Sequence, residues 1–502
     1  MTATRSYKAG PPQREKQVRR NAVPATARMI LRAMAGLALA LGVASCSSIP
    51  GVSVVTGASG TPPEGQPGHV SGFLGGVVAD EPQAALIGRQ VLSAGGDAAD
   101  AAVAVGLTLA VTLPSRAGLG GGGACLAYAP GRDSPNHGVP EAVIFVPLAP
   151  PEPPVAADRP AAVPMLARGL YLLHARYGHL SFEQLMLPAE SLARTGATAS
   201  RAFADDLHVA AGPLFADPQS RAVFSHDGQP LAVGDRYTQP QLAATLARMR
   251  YDGVGDFYRG SLALRIAEGS RLAGGPLTVT ELANALPRLT PAIQLADRRN
   301  GIAFLPPPAD GGLAAAAAFN VLAQKPDALA AAGERAQEVA VAWRNSGGNP
   351  QALLSAQAPA ATLPALPATT TFLTLDSAGN AVACSLSMDN LFGTGRMVPG
   401  TGFLLAASPR DVPLPLLTAA IAWGRRRNAF RAAVAASGQN AAALAVATAM
   451  NNALHSREPM PVPVPDPGRA NVIACFGYVP GDKESCGFAT DPRGTGYATG
   501  GK

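Results

Sequence analysis

The feature that most restricts the fold is a pair of apolar, alternating runs, Thr371 to Leu375 and Ala381 to Met388, separated by Gly379-Asn380. Such runs around a Gly-Asn break predict a β-hairpin. Thr369, the first of three consecutive threonines, then stands at the start of the first strand. Threonines there suit an ordinary half-buried strand. A threonine hydroxyl is also a candidate nucleophile once a base lies beside it. Apolar residues make up 47% of the 502-residue chain, enough for an extensive core of one domain built from intertwined parts.

Other motifs flank the hairpin in a fixed order. Gly95-Gly96-Asp97-Ala98-Ala99-Asp100-Ala101-Ala102 comes first, then Gly118-Leu119-Gly120-Gly121-Gly122-Gly123, Ala204-Asp205-Asp206-Leu207, Asp256-Phe257-Tyr258-Arg259-Gly260 and Leu305-Pro306-Pro307-Pro308 with Gly311-Gly312. After the hairpin come Phe392-Gly393-Thr394-Gly395 and Asp491-Pro492-Arg493. In this order they resemble the γ-glutamyltransferase family, whose nucleophile region reads Thr-Thr-His-x-x-x-x-Asp-x-x-Gly-Asn-Ala-Val, then Thr-Leu-Asn and Phe-Gly-Thr-Gly.

The resemblance implies an α+β fold, the four-layer αββα sandwich of N-terminal-nucleophile hydrolases, with two stacked, mainly antiparallel sheets between helical layers. It also implies self-cleavage between Ala368 and Thr369, with the register open to a slip of one within the three threonines. Residues 72–368 become a large subunit and residues 369–502 a small one. The freed α-amine, with an ordinary pKa of roughly 8, serves as base toward its own hydroxyl, and Ser387 supports the nucleophile. Thr369 then attacks a small-molecule amide, forms an acyl-enzyme, and yields the acyl group to water or an amine. No cofactor is expected, because the glycine run lacks the spacing of a dinucleotide or phosphate loop. Those glycines could instead let the backbone approach a ligand.

The matches weaken at the substrate. The family arginine that pairs with the γ-glutamyl α-carboxylate falls on Val146 in Phe145-Val146-Pro147, and the Ser-Ser pair on Pro415-Leu416. Losing one charged partner of a buried pair costs about 2–5 kcal/mol, roughly 30- to several-thousand-fold in recognition. Arg116 and Arg410 are candidate replacements. The substrate-binding positions carry over as Asp389, Asp411 and Ser408, and two acids there favour an ammonium group unless one is protonated. Gln439-Asn440 takes the place of the Gly-Gly whose backbone N–H groups form the oxyanion hole. Glutathione or another γ-glutamyl amide is the default substrate. The alternatives are an amidase or acylase with a non-glutamyl substrate, and a non-catalytic lipoprotein scaffold of the same fold.

The apolar run Ala33 to Val43 followed by Val43-Ala44-Ser45-Cys46 resembles the lipobox of bacterial lipoproteins. It is too short to span a bilayer, so residues 1–45 read as a signal peptide. Cys46 then carries the lipid, and residues 46–71 form a Gly/Ser/Pro-rich tether. This implies a periplasmic protein anchored to a membrane, the outer one by Ser47. A cytosolic protein with a buried first helix is the alternative. Residues 1–45 hold eight of the 40 Lys/Arg and one of the 34 Asp/Glu, leaving 32 basic against 33 acidic residues. Nothing there suggests nucleic-acid binding, and Arg425-Arg426-Arg427 reads as a solvated turn.

Cys475 and Cys486 bracket a short loop and predict a disulfide worth roughly 2–3 kcal/mol. Cys125 and Cys384, in apolar runs, read as buried thiols. Zinc is not expected, since the loop offers two thiols and no histidine. Glu81 to Ala94 predicts a helix, and Asp97 caps a second through Val111. Gly402 to Ala406 predicts a strand. Asn345 to Ala368, rich in Ala, Pro and Ser, reads as a mobile connection or a plain linker, and Pro459 to Pro467 as an extended crossover.

Overall fold

The computed structural model describes residues 72–501 apart from 132, 152–156 and 457–459. The signal peptide, Cys46 and the 46–71 tether lie outside the described residues. Thirteen strands form two large sheets: β1 (Gly75–Ala79), β2 (Gly122–Tyr128), β3 (Glu141–Phe145), β4 (Arg288–Pro291), β5 (Ile293–Asp297), β6 (Asn300–Phe304), β7 (Thr370–Asp376), β8 (Ala381–Ser387), β9 (Thr418–Gly424), β10 (Ala429–Ser437), β11 (Arg469–Val479), β12 (Asp482–Thr490) and β13 (Tyr497–Gly500). Their orders are β13-β1-β7-β8-β2-β3-β4 and β12-β11-β10-β9-β6-β5. All pairings within them are antiparallel. Residues 72–368 and 369–502 are interleaved in both sheets, with β7 and β8 inserted between β1 and β2.

Alternation along β7 assigns the layers. Phe372 faces a core shared with the helices Pro82–Ser93, Ala98–Thr112 and Leu166–Tyr177. Leu373 and Leu375 face the second sheet and join Leu126, Ile144, Ile421, Trp423 and Ile473. The far side of the second sheet sets Phe304, Val434 and Val472 against the helices Gly311–Gln324 and Ala442–His455. The result is the αββα sandwich of the N-terminal-nucleophile hydrolases. Both faces of each sheet are covered, so the central strands are apolar nearly throughout.

Local signals act as the sequence suggests. Glu81 caps the 82–93 helix by accepting from the Ala84 N–H. Asp97 and Asp100 form a reciprocal capping box on the 98–112 helix. Asp376 closes the β7–β8 hairpin by accepting from the Ala378 and Asn380 amides, and it also accepts from the Ala98 N–H. Arg425 to Arg427 form an exposed turn between β9 and β10. Cys475 and Cys486, paired across β11 and β12, are joined in a disulfide.

Three expectations are corrected. Cys125 and Cys384 are not thiols: they face each other in the β2–β8 register, Cα atoms 4.1 Å apart, and form a disulfide. Gly402 to Ala406 belongs to neither sheet and makes only isolated bridges through Leu404 and Leu405. The glycine run packs backbone on backbone rather than on a ligand. A Cβ on Gly120 would lie 2.1 Å from the Leu404 carbonyl, and one on Gly121 2.5 Å from the Ser387 carbonyl.

Candidate active site

The hairpin register builds the site. Thr370 pairs with Leu386, so the next positions outward, Thr369 and Ser387, meet at the end of the hairpin. The chain before Thr369 is continuous and has no regular structure from 357. It is nevertheless docked, because Leu363 and Leu366 are buried in the helical core beside the second sheet. The expected mobility therefore does not extend to this last stretch. Asn440 Nδ2 holds it further by donating to the Leu363 and Pro364 carbonyls at 3.2 and 2.9 Å.

The Ser387 hydroxyl donates to the Ala368 carbonyl oxygen at 3.1 Å and accepts from the Asp389 N–H at 2.9 Å. Ser387 thus polarises the carbonyl immediately before Thr369. The three threonines are not equivalent. Thr370 and Thr371 hydroxyls donate to Asp80 Oδ2 at 3.3 and 3.4 Å, and Thr371 Oγ1 also accepts from Asn471 at 3.0 Å. The Thr369 hydroxyl is buried and has no hydrogen-bond partner among the described residues. A buried polar atom left unpaired costs about 1–3 kcal/mol and calls for an explanation. Of the three hydroxyls, only that of Thr369 is unengaged among the described residues.

Thr369 lies at a cleft of about 550 Å³, lined also by Asp80, Arg116, Asp206, Ser437 and Gln439. Gly438 and Gln439 both have positive φ, +116° and +53°. Their turn leads into the 442–455 helix, so the Gln439 and Asn440 N–H groups open a helical run and lack intrahelical acceptors. Such donors suit an oxyanion. Asparagine visits positive φ more readily than most residues, yet here it is Gln439 that adopts it, while the Asn440 side chain donates to the 363 and 364 carbonyls.

The substrate residues carried over from the sequence do not assemble. Ser408 is buried, with its N–H on the Pro160 carbonyl and its hydroxyl accepting from the Arg410 N–H. Asp411 is exposed in the turn that follows, and neither lines the cleft. Asp389 is buried beside Ser387, with both carboxyl oxygens unpartnered among the described residues, and burial pushes its pKa up to about 8. Burial thus favours its neutral form, and with Asp411 out in an exposed turn the two acids do not pair at the cleft. Val146 packs into the core between the sheets, and Leu416 into the core beneath the helices. Arg410 is spent on the Pro150 and Pro151 carbonyls, both at 2.6 Å. Arg116 does reach the cleft, but its Nε and Nη2 each donate to Asp206 at 2.7 Å.

No local sequence pattern singles out Asp80 or Asn471, or the pairing of Arg116 with Asp206. Asp205-Asp206 was visible as a motif, whereas nothing local distinguishes Asp80 from a strand-terminal acid.

A family model described as gamma-glutamyltranspeptidase matches residues 84–340 and 331–432. The glutathione hydrolase proenzyme of Escherichia coli is 32% identical over 267 residues, 49% of this chain and 45% of the relative. Glutathione hydrolase 3 of Arabidopsis thaliana is 31% identical over 256 residues, 49% of this chain and 40% of the relative. The acylase ACY 1 proenzyme of a Pseudomonas species is 31% identical over 268 residues, 50% of this chain and 48% of the relative. The chain thus spans about half the length of the curated relatives it matches or less. Among solved structures, cephalosporin acylase from Bacillus halodurans aligns over 89% of this chain and 99% of its own at a TM-score of 0.69 and 20% identity, a likeness of fold.

Proposed function

The chain belongs to the gamma-glutamyltranspeptidase family, and from that premise we propose a threonine-dependent hydrolase or acyltransferase that cuts its own backbone before Thr369 and then opens γ-glutamyl amides such as glutathione. The observation that carries this reading is the unengaged Thr369 hydroxyl beside an Ala368 carbonyl held by Ser387. In self-cleavage, Thr369 Oγ adds to the Ala368 carbonyl and the C–N bond breaks. The acyl group passes to oxygen, and the nitrogen takes up the proton to become the α-amine. Water then hydrolyses the ester, leaving Ala368 as a carboxylate. With the amine as base, the same hydroxyl attacks a substrate amide. The developing oxyanion is met by the Gln439 and Asn440 N–H groups, and the acyl-enzyme is released to water or an amine.

Intact mass and reducing gel electrophoresis test the first half. Wild type should split, with a C-terminal chain beginning at Thr369 and ending at Lys502, while Thr369→Ala stays whole. If both stay whole, the non-catalytic scaffold becomes the better reading. Absence of glutamate release from γ-glutamyl anilides or glutathione by the processed protein would remove the substrate assignment alone.

A second reading, an acylase for a non-glutamyl group, is favoured by the positions of Val146, Leu416 and Arg410. None of the three offers a cation or hydroxyl to an α-carboxylate in the cleft. An acylase proenzyme among the relatives supports the same alternative. For location, export with lipid attached at Cys46 agrees with two disulfides, which persist in oxidising compartments. Palmitate labelling that survives Cys46→Ala would exclude it.

A further inference from the structure

Asp80 ends beside β1, yet its contacts converge on the segment that begins at the nucleophile. Its backbone N–H donates to the Thr371 carbonyl at 3.1 Å, and its Oδ2 accepts from the Thr371 N–H at 2.8 Å. Oδ2 also accepts from the Thr370 and Thr371 hydroxyls, and Oδ1 accepts from Asn471 Nδ2 at 2.8 Å. A backbone N–H and an amide NH₂ can only donate, so each carboxylate oxygen has a fixed donor. The pairing of β1 with β7 begins at Ala79 and Phe372. Residues 369–371 therefore project past that ladder, and on this side Asp80 takes over from it.

Resting on the proposed self-cleavage, we propose that Asp80 is a positioning residue for the nucleophile: it grips Thr370 and Thr371 before and after the chain is cut and sets a negative charge beside the new α-amine of Thr369. Before cleavage Thr369 is held from both sides. Afterwards its N-terminal side is free, and what remains is the β8 pairing and this clamp. Asp80 lies in the segment that becomes the large subunit, so the clamp crosses between the two products.

The charges around the amine favour Asp80 as the one that matters. Arg116 is tied to Asp206, Arg493 to Asp491 and Arg469 to Asp466. Asp205 is exposed and screened by water, and burial favours the neutral form of Asp389. Burial pushes the Asp80 pKa up, but, unlike Asp389, Asp80 has a donor fixed on each oxygen, and the Thr371 N–H, Asn471 and then Arg116 act against that push by favouring the carboxylate. An anion there stabilises the ammonium over the amine. The amine is the base, so the pH at which the site becomes active is set higher than it would be without Asp80.

The test compares wild type, Asp80→Asn and Asp80→Glu. Self-processing is followed on reducing gels, and the Thr369 α-amine is titrated by NMR in processed protein labelled by reductive methylation. Asp80→Asn should process about tenfold more slowly or worse, and its amine should titrate lower by roughly 0.5–1.5 units. Asp80→Glu keeps the charge on a longer arm, so it should keep the wild-type titration while processing slowly. A wild-type processing rate and titration in Asp80→Asn overturn the proposal. Should Asp80→Asn not fold, wild-type processing by Asp80→Glu overturns it as well. A wild type that never splits refutes the self-cleavage reading itself, an outcome distinct from failure of Asp80 alone.

Discussion

The Cys125–Cys384 bridge gives the sharpest prediction, because the proposed cut falls inside it. The two cysteines are 259 positions apart and enclose the Ala368–Thr369 bond. In the uncut chain the bridge closes a long loop, worth about 5.5 kcal/mol in the chain-entropy relation. Once the backbone is cut it closes nothing and becomes a covalent link between the 72–368 and 369–502 segments. The consequence changes from loop entropy to permanent association. Processed wild type should run as one species in denaturant without reductant and as two with it. Cys475 and Cys486 lie together in the C-terminal segment and do not obscure this. The double variant Cys125→Ala/Cys384→Ala should separate in denaturant without reductant. Combined with Thr369→Ala, so that the chain stays uncut, it should melt several degrees lower than Thr369→Ala alone, since about 5.5 kcal/mol in a chain of this size corresponds to roughly 10 °C or less. If processed wild type separates without reductant, or its denatured, unreduced form titrates both thiols, the reasoning from register to bridge is wrong.

Three further outcomes follow from the site. Ser387→Ala removes the donor on the Ala368 carbonyl and should slow self-cleavage by about 10²-fold, measured as the half-time of splitting on reducing gels; an unchanged half-time would deny Ser387 that role. Asp389 has its folded pKa raised to about 8 by burial, so the folded state binds more protons than the unfolded state between about pH 4 and 8, and stability falls across that window. Asp389→Asn should flatten this slope in urea melts and gain most at pH 8 and above, whereas parallel curves would mean the carboxyl is not buried as described. Gly121→Ala forces a Cβ to 2.5 Å from the Ser387 carbonyl and 2.7 Å from Met388 Sδ; it should cost about 1–3 kcal/mol or more in thermal melts and block splitting by displacing Ser387.

What the chain alone determined rests on local physics. The 369–388 hairpin follows from alternation and a Gly-Asn break, the 82–93 and 98–112 helices from Glu81, Asp97 and the glycines after them, and the Cys475–Cys486 bridge from a short loop. Each signal is carried by residues a few positions apart, so no knowledge of the packing was needed. The tertiary structure decided which hydroxyl is free, which cysteines meet and which charges are already spent. Thr369 is distinguished from Thr370 and Thr371 only because Asp80, about 290 positions earlier in the chain, sits opposite them. Cys125 meets Cys384, and Val146 turns into the inter-sheet core, because of strand register, in which a slip of one residue moves every side chain to the other face. That register is set by two sheets packing together, and local sequence pattern alone does not specify it.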